Sequence, residues 1–580
     1  MSSDNPTKLA LRTAKSLKKS REDFEPHFQQ LERNFLPRNG GFSSDPTSEQ
    51  KSNRGGLINR HMLDSTPMRA LRVLKSGMQA GITSPSRPWF RLKPLDPALA
   101  ERPKVKDFFW RAEAEMRRMT ERSGLYNVLH SGYGHVSVYG TECALIEDNP
   151  VNDFDLRGQQ LRPGSFWLGS SEEQRIDTCY REFTLTVNQT VGKFVYGGNP
   201  NATPNWDRVT DHVKRMYEKG DVAENVDLCQ LIMPRKNRDR LKINRQNMPI
   251  ASQYWIKNDE RDEATRPLAG NFGYETNPIS ASRWEVDGTD VWGISPAMEA
   301  LPDVKELMFK RRDYNEMLRR VNRPPMNAHS DLRNSAFSLL PGAINFMAEP
   351  DKALRPAYEV DPQFSALRED IEGTKDSVWS TMYADLFMMI SQLDRRQITA
   401  TEIDERREEK LIALGPVLER MHFEKLKPLV ERLFLKVVES GVLGPVPEEL
   451  EGEDIEVDFI SMLAQAQKAV ATGGMERLAA FVGNISASKP DALDKLDSDA
   501  LIDEYADSIG TPVRVIRPED DVEALRRRRQ EQEARMQQAE MAEQVAGAAS
   551  QGAKAAKVLS EADSPRGAVP NDILARAGLA

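Results

Sequence analysis

An α+β fold, predominantly helical, is what this sequence predicts, and three observations lead there. Apolar residues recur at helical spacing over most of the chain, while the stretch from about 140 to 290 changes to short β-like runs. A turn-rich excursion at 322–363 separates two long helical patterns. At 580 residues the chain exceeds one small core, and a prior of about 100–200 residues per domain implies roughly three or four units.

Taken in order, residues 7–35 read as a helix with Leu9, Leu17, Phe24, Phe28, Leu31 and Phe35 apolar and an interruption at Pro26. Residues 37–57 are rich in Gly, Ser, Asn and Pro and read as a loop. A helix from Met62 to Gly81 ends in small residues, Ser76, Gly77, Ala80 and Gly81, that allow close approach of another backbone. Pro85 and Pro88 then force an extended exit into a strand around Trp89–Leu92. Helices follow at about 104–123, with Phe108, Phe109, Met116 and Met119, and at about 125–138. Phe183–Val187, Gln230–Met233, Ala251–Ile256 and Ile279–Val286 alternate or are β-branched, with a helix at about 206–218 between them. Together they predict a small antiparallel sheet or barrel embedded among helices.

Ser295-Pro296 is a cap followed by proline at the first helical position, and the pattern resumes after Pro302 to about Arg320. Leu307, Tyr314, Leu318 and Val321 share one face. Residues 305–323 hold seven basic and three acidic residues, so Lys310, Arg311, Arg312, Arg319 and Arg320 make this helix locally positive in an acidic chain. A second long helix, about 364–391, carries the stripe Leu367, Ile371, Val378, Met382, Leu386 and Met389. Thr399 and Glu402 have capping-box spacing and start a helix at about 400. That helix runs to 440, is broken at Gly415-Pro416, and buries Leu418, Met421, Leu426, Leu429, Val430, Leu433 and Val437. Gly444 to Asp454 reads as a linker, 455–509 as a further helical set, and 519–545 as a very polar helix holding Arg526 to Arg529. Residues 546–580 read as a disordered tail, with 546–569 rich in Ala, Gly, Ser and Lys.

Composition narrows the function. No run of eighteen apolar residues exists, so no membrane-spanning helix is expected, and the N-terminus lacks the apolar block of a signal peptide. Cys143, Cys179 and Cys229 lie dozens of residues apart and build neither a zinc knuckle nor a CxxC pair. They are expected to be buried free thiols. His130 and His135 are five apart, which does not stack two ligands on one helical face. No phosphate loop, GxSxG elbow or HExxH motif occurs, and Gly132-Tyr-Gly134 leads into no dinucleotide fingerprint. Glu408-Glu409 lies on a charged helix, where ion pairing is the expected role. No catalytic, cofactor-binding or metal-ligating residue is assigned, and no enzyme is expected. With a net charge of −9 the chain has no strong overall attraction for nucleic acid.

Four segments in order, GMQAGITSPSRPWFRL from Gly77, NPISASRWEVDGTDVWGISPAMEALPDVKEL from Asn277, QITATEIDERREEKLIALGPVLERM from Gln397 and FISMLAQAQK from Phe459, resemble the head-to-tail connecting (portal) proteins of short-tailed bacteriophages. The resemblance covers roughly residues 8–480. It implies a ring of identical subunits, twelve in this family, at one capsid vertex of the virion, assembled in the host cytoplasm. Head-to-tail contacts close such a ring only if the rotation per subunit divides the circle. It implies as partners double-stranded DNA without sequence preference, the large subunit of terminase, tail adaptor or nozzle proteins, and major capsid and scaffold proteins. In that layout 1–295 is the wing with its small β-barrel or sheet, 296–321 and 364–391 are stem helices, and 322–363 is the clip. Residues 392–399 are the tunnel loop, 400–454 the wing helix and linker, and 455–545 the crown. Arg395, Arg396 and Gln397 are then expected at the channel, touching phosphate without reading bases, with Thr399 and Glu402 fixing the end of the loop. The five stem cations face either the channel or a neighbouring subunit. A mostly acidic wall with few positive bands lets DNA slide, because dense positive charge would hold phosphate at each step. The competing reading is a minor capsid or scaffold-like interaction protein without a channel; paired stem helices around a clip favour the portal.

Overall fold

The computed structural model describes residues 6–37, 42, 61–100, 102–149, 152, 154–198, 201–242, 244–257, 259, 268–330, 333, 338, 344, 355–357, 364–392, 413–450, 452, 454–461, 463, 478–485, 489, 496–508, 522–536 and 553–554. The chain divides into two compact units, 1–478 and 479–580.

The N-terminal helical pattern forms as two helices, α1 (Pro6–Arg21) and α2 (Glu25–Phe35), because Pro26 suits the first turn of a new helix better than the interior of an old one. Phe28 of α2 is fully buried and packs edge-on against Tyr139 and Trp292, with centroids 5.9 and 5.8 Å apart. Helix α3 (Thr66–Ile82) carries the small residues noted above, and what approaches them is side chain rather than backbone. A Cβ on Gly77 would stand 2.3 Å from the Phe387 ring, and one on Gly81 2.7 Å from Leu463.

After strand β1 (Phe90–Pro94) come helices α4 (Pro103–Arg122) and α5 (Leu125–Tyr139). Helix α5 ends at Gly140, whose φ of +69 is left-handed, as a helix C-terminus often requires. The chain then enters strand β2 (Thr141–Asp148), which pairs with β3 (Leu156–Gln160) and with β9 (Ile279–Arg283) in the order β3-β2-β9. A second antiparallel sheet runs β4 (Phe166–Ser170), β5 (Ile176–Thr186), β6 (Asn225–Pro234), β7 (Ile250–Ile256), β8 (Gly270–Tyr274) in sequence order. It is open, with β4 and β8 as edges, so among the described residues the β-region is two sheets and no closed barrel. Helix α1 covers part of it, laying Ala10 and Ala14 against Trp167, Tyr180, Leu231 and Trp255. Helix α6 (Asp211–Lys219) helps cover the far end through Val213, beginning after a short 3-10 turn at Trp206–Arg208.

Helix α7 (Pro296–Asn322) starts as expected, the Ser295 hydroxyl accepting from the Met298 N–H at 3.1 Å. It runs unbroken through Pro302, where a restart was expected. Pro302 is exposed, while Ala300, Leu301, Val304 and Leu307 on either side of it are buried, and that apolar burial offsets the roughly 3 kcal/mol cost of an interior proline. The helix predicted at 364–391 is two, α8 (Phe364–Thr381) and α9 (Ala384–Gln392). The break is Tyr383, at φ +52, with its ring 6.0 Å from that of Trp284; the turn re-aims α9 so that Phe387 reaches Gly77.

Helices α10 (Gly415–Met421) and α11 (Lys427–Glu439) are joined by a π-helical turn, His422–Leu426, that the apolar pattern did not reveal. The buried side of this arm is as expected. Residues 455–459, expected to be helical, form strand β12 (Ile455–Phe459), which pairs antiparallel with β1 from Phe90↔Phe459 to Pro94↔Ile455. Alternation of Ile455, Val457 and Phe459 with charged residues is the period-2 pattern that carried this. In the second unit, helix α12 (Ser498–Ser508) is joined to a helix at 522–536 by the Arg526–Asp499 pair at 2.5 and 2.8 Å.

Gly140 and Gly293 face each other so closely that a Cβ on Gly140 would stand 1.9 Å from the Gly293 carbonyl oxygen. Gly140→Ala is expected to destabilise the chain by more than the about 1–3 kcal/mol of left-handed strain alone. Gly288→Ala is the matched control, since Gly288 has φ +56 and open space around it. Urea unfolding of both variants checks this, with Gly140→Ala the more damaging.

Candidate channel and inter-subunit site

Helices α7 and α8 form an antiparallel pair. Asp303 Oδ2 accepts from Ser377 Oγ at 2.5 Å, Lys310 meets Asp370, and Tyr314 packs edge-on against Phe364 at 6.1 Å, so partners move down α8 as one moves up α7. At about 1.5 Å per residue α7 is about 40 Å long. Its buried residues all lie between Pro296 and Leu307, and Phe309 and Val321 are 58% and 38% exposed. The outer half therefore stands clear of this chain's own core.

The five basic residues singled out on α7 divide by environment. Lys310 is held by three oxygens, Glu306 Oε1 at 2.7 Å, Asp370 Oδ2 at 2.8 Å and Thr374 Oγ1 at 2.9 Å. The hydrogen bonds to the Asp370 carboxylate first, then to Glu306, raise its pKa. Arg311 donates through Nε to Asp64 Oδ2 at 2.8 Å, and Asp64 also accepts from the Thr66 N–H and hydroxyl at the start of α3. Lys310 and Arg311 are thus struts within this chain, their charges already paired. Arg320 pairs with Glu316 one turn back at 2.5 Å, on an exposed surface where such pairs contribute little. Arg312 lies over the exposed Phe309 ring at 5.4 Å, and among the described residues neither it nor Arg319 has an ion-pair partner. Of the five, Arg312 and Arg319 are the ones left available. Arg395, Arg396, Gln397, Thr399 and Glu402, with Glu408-Glu409, lie outside the described residues.

Among the described residues no group of three or more His, Cys, Asp or Glu side chains could hold a metal ion, and no helix is long and apolar enough to cross a membrane. The model of the family described as bacteriophage head to tail connecting protein matches residues 7–516. This chain belongs to that family. The connector is 36% identical over 553 residues to a probable portal protein of Bordetella phage BPP-1, covering 95% of this chain and 96% of that one. It is 34% identical over 549 residues to a portal protein of Salmonella phage epsilon15, covering 94% of each. Among solved structures, the virion of a native gene transfer agent particle matches at 11% identity with a TM-score of 0.34, covering 77% of this chain and 90% of that chain.

Behind the α7–α8 pair the connector holds a buried polar cluster that sequence reasoning missed. Lys425 Nζ lies 2.5 Å from Glu142 Oε1, and the two side chains are 2% and 0% exposed. Ser282 Oγ donates to Glu142 Oε1 at 2.9 Å and Gln160 Nε2 to Glu142 Oε2 at 3.0 Å, so both oxygens of the carboxylate accept a hydrogen bond. A Cβ on Gly132 would stand 2.6 Å from the Lys425 nitrogen, which gives Gly132 in the middle of α5 its reason. The neighbouring residue, Glu424, accepts from the Arg283 N–H at 3.0 Å and from its guanidinium at 2.6 Å. Glycine inside a helical pattern was the one available sign, and it pointed to close packing without naming the partner.

His135 borders this cluster, and burial first, then Lys425, pushes its pKa down to about 4. The unfolded chain, with an ordinary His pKa of about 6.5, therefore binds the proton that the folded chain refuses across that window. Stability is full above about pH 6.5 and falls as the pH drops toward about 4, by up to roughly 3 kcal/mol from this group. His135→Gln is expected to flatten the pH dependence of urea-unfolding free energy between those values; an unchanged slope would count against it.

Proposed function

We propose that this connector is the subunit of a portal ring at one capsid vertex, a non-catalytic conduit for double-stranded DNA during packaging and ejection. The observation that carries this reading is the end-to-end likeness to two chains named as portal proteins, one of them as a probable one. Two features of the fold support it. The outer half of α7, with Phe309, Arg312, Arg319 and Val321 uncommitted, offers apolar and cationic surface to a neighbouring copy or to the channel. The described part of the excursion between α7 and α8 begins and ends in paired strands, β10 (Met326–Asn327) and β11 (Arg355–Pro356), so it leaves and returns at one place.

In this proposal α7 with α8 and α9 is the stem, 322–363 the clip and 392–399 the tunnel loop, with Arg395, Arg396 and Gln397 toward DNA and Thr399 and Glu402 closing the loop. The wing takes 1–295 and 400–454, and we extend it through β12 because that strand completes a pair with β1. The crown follows. Twelve copies, terminase, tail adaptor or nozzle proteins, major capsid and scaffold proteins, and assembly in the host cytoplasm belong to the same proposal.

The expected result is that the purified protein images in negative stain as a ring with a central hole, and that Arg395→Ala with Arg396→Ala leaves the ring intact while lowering the DNA retained in heads. Absence of any ring at high protein concentration would overturn the portal reading. Intact rings with unchanged packaging and retention would overturn only the tunnel-loop role.

A further inference from the structure

The loop between β6 and β7 is the most basic surface feature the described residues contain outside α1 and α7, and nothing above uses it. Residues 235–247 hold Arg235, Lys236, Arg238, Arg240, Lys242 and Arg245 against one acid, Asp239, in a chain whose net charge is −9. The two legs of the loop, 235–242 and 244–247, are each held by hydrogen bonds. Its base closes where the Arg235 N–H donates to the Pro249 carbonyl at 2.7 Å, and the Arg235 guanidinium donates to the Met248 and Phe272 carbonyls at 3.2 and 3.0 Å. Its return leg lies on β8 over Gly273, where a Cβ would meet the Arg245 carbonyl oxygen at 2.5 Å.

Asp239 is spent inside the loop. Its carboxylate accepts from the Leu241 N–H at 3.1 Å and pairs with Lys242 at 3.3 Å, while its own N–H donates to Asn247 Oδ1 at 3.1 Å. Lys236, Arg238, Arg240 and Arg245 are exposed, and none has an ion-pair partner among the described residues. Four like charges without an acidic partner among the described residues are thus carried on one short loop, and a polyanion relieves their mutual repulsion.

We propose that this loop grips the phosphate backbone of double-stranded DNA, independently of sequence and separately from the channel residues. A partner that satisfies several uncompensated cations at once carries a dense and uniform negative charge, as the duplex does. Asn237, Asn244 and Gln246 beside the cations are side chains that hydrogen-bond phosphate and sugar. The reading rests on the portal proposal only in that it expects DNA to be present where this protein works.

The test is fluorescence anisotropy of a labelled mixed-sequence duplex with the purified full chain, between about 50 and 200 mM salt. Replacing Lys236, Arg238, Arg240 and Arg245 together by alanine is expected to weaken binding at least tenfold and to lower the slope of log affinity against log salt by about 3.6. Leu241→Ser, at a tip position 93% exposed, keeps every charge and is expected to leave the slope unchanged. An unchanged slope in the fourfold variant overturns the proposal. An equal loss from Leu241→Ser overturns it too, and assigns the loop to an apolar socket on a protein. Negative-stain images of the same preparations report on ring formation separately, so failure of the loop and failure of the portal reading are told apart.

Discussion

Two adjacent ion pairs made by consecutive residues, Glu424 with Arg283 and Lys425 with Glu142, fix how the three-stranded sheet meets the helical arm at 415–439. Burying a lysine and a glutamate is costly, so the pair is tolerated only with close geometry and further hydrogen bonds to the carboxylate. The fold supplies both. The π-helical turn at His422–Leu426 widens the backbone locally, and its two charged residues reach different parts of the sheet. Lys425 goes to Glu142 on β2. Glu424 meets the edge strand β9, where the Trp284 N–H bonds inward to Gly140 and the outward Arg283 N–H is left for the carboxylate. A strand edge that would otherwise be open is thereby covered.

The direction of α7 depends on that junction. Helix α7 leaves the same sheet through the Glu285↔Ile294 bridge, and its cap Ser295 donates to the Val138 carbonyl at 2.7 Å. Helix α5, which carries Gly132 beneath the ion pair, is therefore also the surface from which α7 starts. Lys310 and Arg311 then tie α7 to α8 and to the start of α3. Direction at the base and bracing midway leave the outer half of α7 free to face something else.

Local chemistry was legible in the sequence, and long-range pairing was not. Helix starts were readable where one residue decides them, as at Ser295-Pro296, Pro26 and Gly415-Pro416, because caps and prolines act within a turn. The apolar face of α11 was readable from its period alone. Pro302 misled because a local rule predicts a break that the burial of Ala300, Leu301, Val304 and Leu307 overrides. Tyr383 gave no warning, since a left-handed tyrosine is held by tertiary contacts and not by its own preference. Strand β12 was missed although Ile455, Val457 and Phe459 alternate with charged residues, and its pairing was hidden because β1 lies more than three hundred residues earlier. In the site, the cations of α7 were visible as a cluster, but which of them are already paired depends on Asp64 and Asp370, residues on other elements. The Glu142–Lys425 pair was invisible for the same reason.

The junction of sheet and arm rests on the buried Glu142–Lys425 pair, and a double-mutant cycle on unfolding free energy measures it directly. Glu142→Leu and Lys425→Met each leave one buried charge without its partner, and each is expected to cost about 3–5 kcal/mol. The double variant, which buries no charge, is expected to recover most of that loss, giving a coupling of at least about 2 kcal/mol. Single variants that each cost under about 1 kcal/mol and simply add in the double would contradict the claim that this pair fixes the sheet to the arm.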